Sequence, residues 1–314
     1  MKSKMGWKVS AGFAGIVAAL VFSTAAGADV TVNDMTGREI SIEGDVEHIV
    51  VLTPADCEIL YALGAGDMLA GRGEYCDYPA EVAGVVSVQS GSDTNIEQII
   101  ELDPEVVLMG TMAQSKEQIE QLENAGIQVV VSDAKDIEGV YQAIEMIGTL
   151  TGKDTEAAAL IDDMKHSFAE LTVPADRDPE TVYFEVSPLA YGLWTAGKGT
   201  FMDEIAGMIG LENVFEDVNG WGEISEEQVI ERNPDHIVTI TMYSGEGPTP
   251  EEEIVSRSGW ENITAVENDS ILNLKNNELS RPGPRLTEGA KLLYDFAYGT
   301  GNEDAASSTE DAVA

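Results

Sequence analysis

The chain has 314 residues, of which 43% are apolar, and its formal net charge is −40. The length allows one large domain or two ordinary ones, and the apolar content excludes a mostly disordered chain. Because 57 acidic residues face 17 basic ones, nucleic acid and anionic lipid are not expected partners. A surface this acidic is typical of high-salt habitats, where ions screen the self-repulsion.

The N-terminal segment, residues 1–28, has the pattern of an export signal. Lys2, Lys4 and Lys8 precede an apolar run rich in Gly and Ala, and its end, AAGADV, suits cleavage after Ala28. An uncleaved membrane anchor is the alternative, because a run of this length nearly spans a bilayer. Either interpretation places the folded part outside the cytoplasm, in the periplasm or at the cell surface.

After the signal, the sequence predicts an edge hairpin over residues 30–42 with Gly37 in its turn, followed by alternating strands and helices. The predicted strands are HIVVLT, MLAGRG, PEVVLMG and IQVVVSD, and the helices are CEILYALGAG, NIEQIIEL and KEQIEQLENAG. Such alternation is typical of a parallel sheet with crossover helices.

Between residues 137 and 171 the apolar residues fall at helical spacing, which predicts two helices, the second running from about Lys153 to Leu171. Alternation then resumes. The predicted elements are the strands TVYFEV, WGEIS, HIVTI and SILNL, a helix from Thr200, a helix that follows WGEIS and a final helix from Pro284 to Tyr298. The acidic, low-complexity tail at residues 300–314 is predicted to be disordered.

The predicted fold is therefore α/β, with two similar lobes that each have a mainly parallel sheet and flanking helices. The lobes cover residues 29–150 and 174–299, and a single long helix within residues 151–173 joins them. A repeat supports this division, because NIEQIIELDPEVVL at 95–108 aligns without a gap with SEEQVIERNPDHIV at 225–238. Two lobes across a linker form a cleft, and ligands bind in such clefts.

Several signals of enzyme or metal chemistry are absent or incomplete. GAGDMLAG closes a helix rather than opening one, GLWTAGKG lacks the Ser or Thr that a P-loop has directly after its Lys, and no G-x-S-x-G elbow occurs. His48, His166 and His236 are scattered singly, so no multi-histidine metal site is expected. Cys57 and Cys76 could form a disulfide in an exported protein, or they could be two small buried apolar residues.

The YCDYP loop, the two glutamate helices and the SRPGPRL segment resemble the substrate-binding proteins of ABC importers. The branch they resemble has lobes joined by one helix and handles cobalamin, ferric siderophores and haem. The likeness runs in the same order from about His48 to Tyr298. It implies a monomeric binding protein without enzymatic activity, cofactor or metal site of its own. Its implied partners are an ABC permease dimer with its ATPase and a metal chelate as cargo.

The resemblance implies a role for the first glutamate that each repeat shares. Glu97 and Glu227 match the acids that form salt bridges to arginine pockets on the permease. One carboxylate on each lobe would give two anchors for a two-fold partner with two basic sockets. The alternative is that each is an ordinary first-turn acid favoured by the helix dipole.

The resemblance also implies a set of cleft residues. Tyr75 matches a ligand-stacking tyrosine, Trp194 a phenylalanine, Trp221 a tryptophan, Arg281 an arginine and Asn277 an aspartate. Flat aromatic walls suit a large planar or macrocyclic ligand, and an arginine suits a carboxylate or phosphate on it. For the two tryptophans, packing in the core is the alternative.

The sequence differs from the family pattern at one cleft position, and this difference affects which ligand is expected. Gly91 stands where the cobalamin-binding members have a further cleft tryptophan, which would widen the pocket or indicate another ligand. Arg285 either serves the cleft or pairs with one of the many acids. The expected function is capture of a corrinoid or ferric-siderophore-type chelate for an importer. A sensory or surface module with the same fold and a chelatase-like enzyme are the alternatives.

Overall fold

A computed structural model describes residues 29–111, 115–173, 178–241, 247–274 and 277–299. The predicted export signal at residues 1–28 and the predicted disordered tail at residues 300–314 lie outside the described residues. Within the described ranges, no helix is long and apolar enough to cross a membrane.

The first half of the chain forms a parallel sheet preceded by a hairpin. Its elements are β1 (Val30–Asn33), β2 (Glu39–Ile42), β3 (Ile49–Val51), α1 (Pro54–Ala62), β4 (Leu69–Gly73), β5 (Ser87–Val88), α2 (Ile96–Glu101), β6 (Val106–Met109), α3 (Lys116–Asn124) and β7 (Gln128–Val131). The predicted hairpin is confirmed as the antiparallel pair β1–β2, with Gly37 at φ +84° in its turn. The other strands have the order β5-β4-β3-β6-β7, and every pairing is parallel.

Two helices lead from the first sheet to the second. Asp136 caps α4 (Ile137–Thr151) by accepting a hydrogen bond from Gly139 N–H at 2.7 Å, and Gly152 ends the helix in the left-handed conformation. α5 (Asp154–Glu170) confirms the predicted second helix. That α5 alone connects the lobes stays a prediction.

The second half of the chain forms another mainly parallel sheet, which has an antiparallel edge. Its elements are β8 (Glu180–Ser187), β9 (Trp194–Ala196), α6 (Phe201–Met208), β10 (Leu211–Asn213), β11 (Trp221–Glu223), α7 (Glu226–Arg232), β12 (His236–Thr239), α8 (Pro250–Val255), α9 (Thr264–Glu267), β13 (Ile271–Asn273) and α10 (Leu286–Tyr298). β8 pairs in parallel with β10 and β12, and β12 in parallel with β13. β9 and β11 continue the sheet antiparallel. The predicted α/β class with two mainly parallel sheets is confirmed.

The central parallel strands of both sheets are buried on both faces, as is typical of parallel sheets. Alternate residues of the first sheet, such as Val51 and Val50, enter two different apolar clusters, and Val182 and Tyr183 do the same in the second sheet. One cluster contains residues of both sheets together with apolar side chains of α4, α5 and α10. The two sheets therefore share one apolar core with these helices.

The repeat occupies equivalent places in the two sheets. α2 is capped by Asn95 and α7 by Ser225, each accepting from the backbone N–H three residues on. Asp103 and Asn233, which occupy the same place in the two copies, both adopt the left-handed conformation, with φ +49° and +46°. β6 and β12 then begin at matching residues, and each lies between two parallel neighbours. The repeated sequence therefore encodes the same helix–turn–strand unit twice.

Candidate functional site

Trp194 and Trp221 lie on one face of the antiparallel edge of the second sheet. Trp221 is opposite Ala196, and Glu223 is opposite Trp194. Because residues two apart on a strand share a face, the indoles are diagonal neighbours across the two strands. Their residues are 40% and 37% exposed. The predicted pair therefore forms an open aromatic face and is not enclosed in the core.

The aromatic face adjoins a contact between the two lobes. The Trp221 ring packs against Phe201 with 5.5 Å between ring centroids. The N–H of Phe201 donates to the Lys135 carbonyl at 2.9 Å, and the N–H of Ile137 donates to the Glu204 carboxylate at 2.8 Å. These bonds join the start of α6 to the start of α4, so Trp221 stands beside the junction of the lobes.

Tyr75 lies in a loop that follows the carboxyl end of β4 and is 63% exposed. The next residue, Cys76, donates its N–H to the Gly73 carbonyl at 3.0 Å. Cys57 of α1 and Cys76 are free, buried thiols in the structure, which agrees with the second of the two interpretations offered for them. Contact with Cys76 and burial raise the pKa of the Cys57 thiol.

An ion-pair network connects this loop to the C-terminal half of the chain. Glu58 of α1 accepts from Arg285 Nε and Nη2 at 2.9 and 2.6 Å and from Arg281 Nη1 at 3.0 Å. Arg281 Nη1 also donates to Asp77 Oδ1 at 2.6 Å, and its Nη2 donates to the Tyr75 carbonyl at 3.2 Å. We call Glu58, Asp77, Arg281 and Arg285 the inter-lobe clasp.

Three of the four clasp side chains are largely removed from water, whereas that of Asp77 is 62% exposed. The side chains of Glu58, Arg285 and Arg281 are 2%, 9% and 12% exposed. Burial disfavours both charged guanidinium groups, but their bonds to carboxylates outweigh it and raise the pKa of each arginine. Burial would raise the pKa of Asp77, yet the hydrogen bond and charge of Arg281 hold it below its usual value. The contacts among these side chains therefore favour the charged forms of Asp77, Arg281 and Arg285.

Two further positions discussed for the cleft have left-handed backbone. Asn277 has φ +67°, and its Oδ1 accepts from the Ser280 hydroxyl at 3.0 Å, so the structure shows it stabilising the turn before the clasp arginines. Gly91 has φ +96°, and its carbonyl accepts from Thr94 Oγ1 at 2.6 Å and Gln118 Nε2 at 3.1 Å. A tryptophan at Gly91 would be strained, because bulky residues rarely adopt such a φ.

Glu97 and Glu227 occupy the second helical position of α2 and α7, and both are exposed. Neither carboxylate forms an ion pair with another described residue. The pKa of Glu227 is lowered by hydrogen bonds from the Glu227 backbone N–H and the Ser225 hydroxyl. Each lobe thus presents one matched carboxylate that is free to bind a cation.

Two acids at the start of α1 were not predicted from the sequence. Glu58 is the centre of the clasp. Asp56 is 2% exposed and accepts hydrogen bonds from the hydroxyls of Thr53 and Ser132, the latter at 2.7 Å. Burial raises the pKa of Asp56 to about 6, the charge of Asp133 adds to the shift, and the two hydroxyls oppose it. Their burial is not visible in the sequence, where they are two of 57 acidic residues.

Two α/β lobes, an aromatic face beside their junction and a matched carboxylate on each lobe define a two-lobed solute-binding protein. Sequence comparison agrees, since the model of the family described as periplasmic binding protein matches residues 49–278. The chain belongs to this family. Like its relatives, it is a substrate-binding transport protein and not an enzyme.

Individual relatives cover most of the chain. A substrate-binding lipoprotein of an ABC transporter from Bacillus subtilis is 34% identical over 277 residues, or 86% of this chain and 85% of the relative. A cobalamin-binding protein of Halobacterium salinarum is 29% identical over 283 residues, which are 86% and 74% of the two chains. Among solved structures, a possible iron-binding periplasmic solute-binding protein from Staphylococcus epidermidis has 32% identity and a TM-score of 0.69 and covers 81% of this chain and 99% of that one.

Proposed function

We propose that the protein is the extracytoplasmic binding component of an ABC importer and that it captures a metal chelate of the corrinoid or ferric-siderophore class. The open aromatic face of Trp194 and Trp221 is the observation that carries this proposal. Large apolar rings are usually buried, and an exposed pair on one face beside a domain junction is typical of a ligand site.

The chemistry of the face favours a large, flat or ring-shaped ligand. Two indoles and the exposed ring of Tyr75 offer broad apolar surfaces with polar edges, which suit the plane of a macrocycle or a chelate. The names of the relatives point the same way, because they include a cobalamin-binding protein and a possible iron-binding protein. The metal would arrive as part of the cargo, with its coordination already supplied by the chelator.

Delivery of the cargo would use the matched carboxylates. Glu97 and Glu227 each project from the first turn of an equivalent helix, and Ile100 and Ile230, one turn further on, are exposed at 42% and 38%. Because residues three apart share a helix face, each lobe presents an acid beside an apolar side chain. A two-fold permease with two basic sockets would fit such a pair of surfaces.

Calorimetric titration of the purified protein with cyanocobalamin, a ferric hydroxamate siderophore and haemin tests the ligand class. We expect saturable binding of a corrinoid or ferric siderophore at one ligand per chain, with quenching of tryptophan fluorescence. Trp194→Ala should weaken binding by about tenfold or more, because the variant loses the buried area of the ring as well as the roughly 1 kcal/mol that an aromatic contact adds.

The buried tryptophan of the same lobe provides the matched control for this experiment. Trp260 is fully buried, so Trp260→Phe should leave the affinity unchanged. A lack of saturable binding to every corrinoid and ferric siderophore in the panel would overturn the proposed ligand class. Binding that is as strong in Trp194→Ala as in the wild type would place the ligand elsewhere.

A further inference from the structure

We propose that Arg281 and Arg285 are positioning residues, which hold the loop of Tyr75 in place from the opposite lobe so that its ring forms a preset wall of the ligand site. This inference rests on the proposed function, because it treats Tyr75 as part of that site. It differs from the role of a cleft arginine that neutralises an acidic group on the ligand.

Arg281 already donates three hydrogen bonds within the protein. Its guanidinium reaches Glu58, Asp77 and the Tyr75 carbonyl, all of which belong to the first lobe. Its side chain is 12% exposed, so little of it is open to a ligand. A ligand carboxylate at Arg281 would have to compete with two carboxylates that already bind its Nη1.

The loop is held at consecutive residues while one ring stays open. The Tyr75 carbonyl and the Asp77 carboxylate accept from Arg281, Cys76 is bonded to Gly73, and the Arg285 guanidinium lies 4.1 Å from the centroid of the Tyr78 ring. The side chain of Tyr75 nevertheless remains in solvent. The clasp therefore fixes the backbone of the loop and leaves the ring free for a ligand.

Glu58 explains why the clasp holds as one unit. It is a single buried carboxylate that accepts from both arginines. Removal of Glu58 would leave two largely buried guanidinium groups without the carboxylate that they share, which proteins tolerate poorly. Because the loop is ordered before the ligand arrives, less ordering entropy is lost on binding. The clasp thus links the packing of the two lobes to the position of the Tyr75 loop.

Hydrogen exchange in the absence of ligand tests the positioning directly. We expect Arg281→Gln to speed exchange of the amides in residues 73–78 by roughly tenfold, since the local structure would open more often. Asp77→Asn should speed it by a smaller factor, because Asp77 is 62% exposed. Lys291→Gln is the matched control, because it also removes one positive charge from the C-terminal half but breaks only an exposed ion pair with Asp295. Unchanged exchange in both clasp variants would overturn the proposal.

A double-mutant cycle with Tyr75→Ala shows whether Arg281 acts through the loop. With the ligand that binds best in the panel, Tyr75→Ala and Arg281→Gln should each weaken binding by about tenfold, and the double variant should be little weaker than either one. If the two losses of affinity multiply in the double variant, Arg281 contacts the ligand directly and the proposal is overturned. The same holds if Arg281→Gln weakens binding of acidic ligands only. Because the exchange experiment needs no ligand, failure of the clasp is distinguishable from failure of the proposed function.

Discussion

Replacing Glu97 and Glu227 together by alanine is expected to abolish uptake of the ligand by cells without changing the affinity of the protein for it. Both carboxylates are exposed and lie in the first turns of α2 and α7, whereas the aromatic face consists of residues on β9 and β11. If each forms a charge-assisted pair with the permease worth about 2 kcal/mol, loss of both would weaken docking by roughly a thousandfold. The measurement is uptake of labelled ligand by cells that lack the native gene and carry either version.

The matched control removes two other exposed acids. Glu145→Ala with Glu170→Ala changes the net charge equally but lies on α4 and α5, so uptake should remain at the wild-type level. Each single variant at Glu97 or Glu227 should retain part of the uptake, because one anchor remains. Normal uptake in the double variant, with normal ligand binding, would show that docking does not use these residues.

Asp56→Asn is expected to change how the stability of the protein depends on pH. The pKa of Asp56 is about 6 in the folded state, against an ordinary value of 3.8. As pH rises from 3.8 to 6, the unfolded chain releases this proton before the folded chain does. The contribution of Asp56 to the free energy of unfolding therefore falls by about 3 kcal/mol over this range. An asparagine has no proton to release, so the variant lacks this fall.

Urea unfolding at pH 4.5 and at pH 7.5 measures the effect. At each pH we take the free energy of unfolding of Asp56→Asn minus that of the wild type. This difference should be about 2 kcal/mol larger at pH 7.5 than at pH 4.5. The control is Asp67→Asn, which removes an exposed aspartate near the end of α1 and should keep a constant difference from the wild type. If the stability difference between Asp56→Asn and the wild type is also the same at both pH values, the raised pKa of Asp56 is contradicted.

The sequence was sufficient to predict the elements with strong periodicity. Apolar runs bounded by turn residues located β3, β6 and β7, and helical spacing located α4 and α5. The final helix was predicted from Pro284 but begins at Leu286, because the preceding turn holds the clasp arginines. The short strands β9 and β10 were not predicted, since three residues show too little alternation to be distinguished from loop.

The candidate site was predictable only in part. The repeat located Glu97 and Glu227 on equivalent helices, and the structure places both on the surface. Glu58 carried no signal, because its partners Arg281 and Arg285 lie more than 220 residues away and acids are abundant throughout the chain. A buried pair of this kind depends on how the lobes pack, and local sequence patterns do not record that packing.

A crystal structure of the protein with its tightest-binding chelate tests the assigned ligand site most directly. We predict one chelate between the lobes, with its plane in contact with the rings of Trp194, Trp221 and Tyr75 and with the inter-lobe clasp intact behind it. A chelate bound away from all three rings would contradict the account of the cleft.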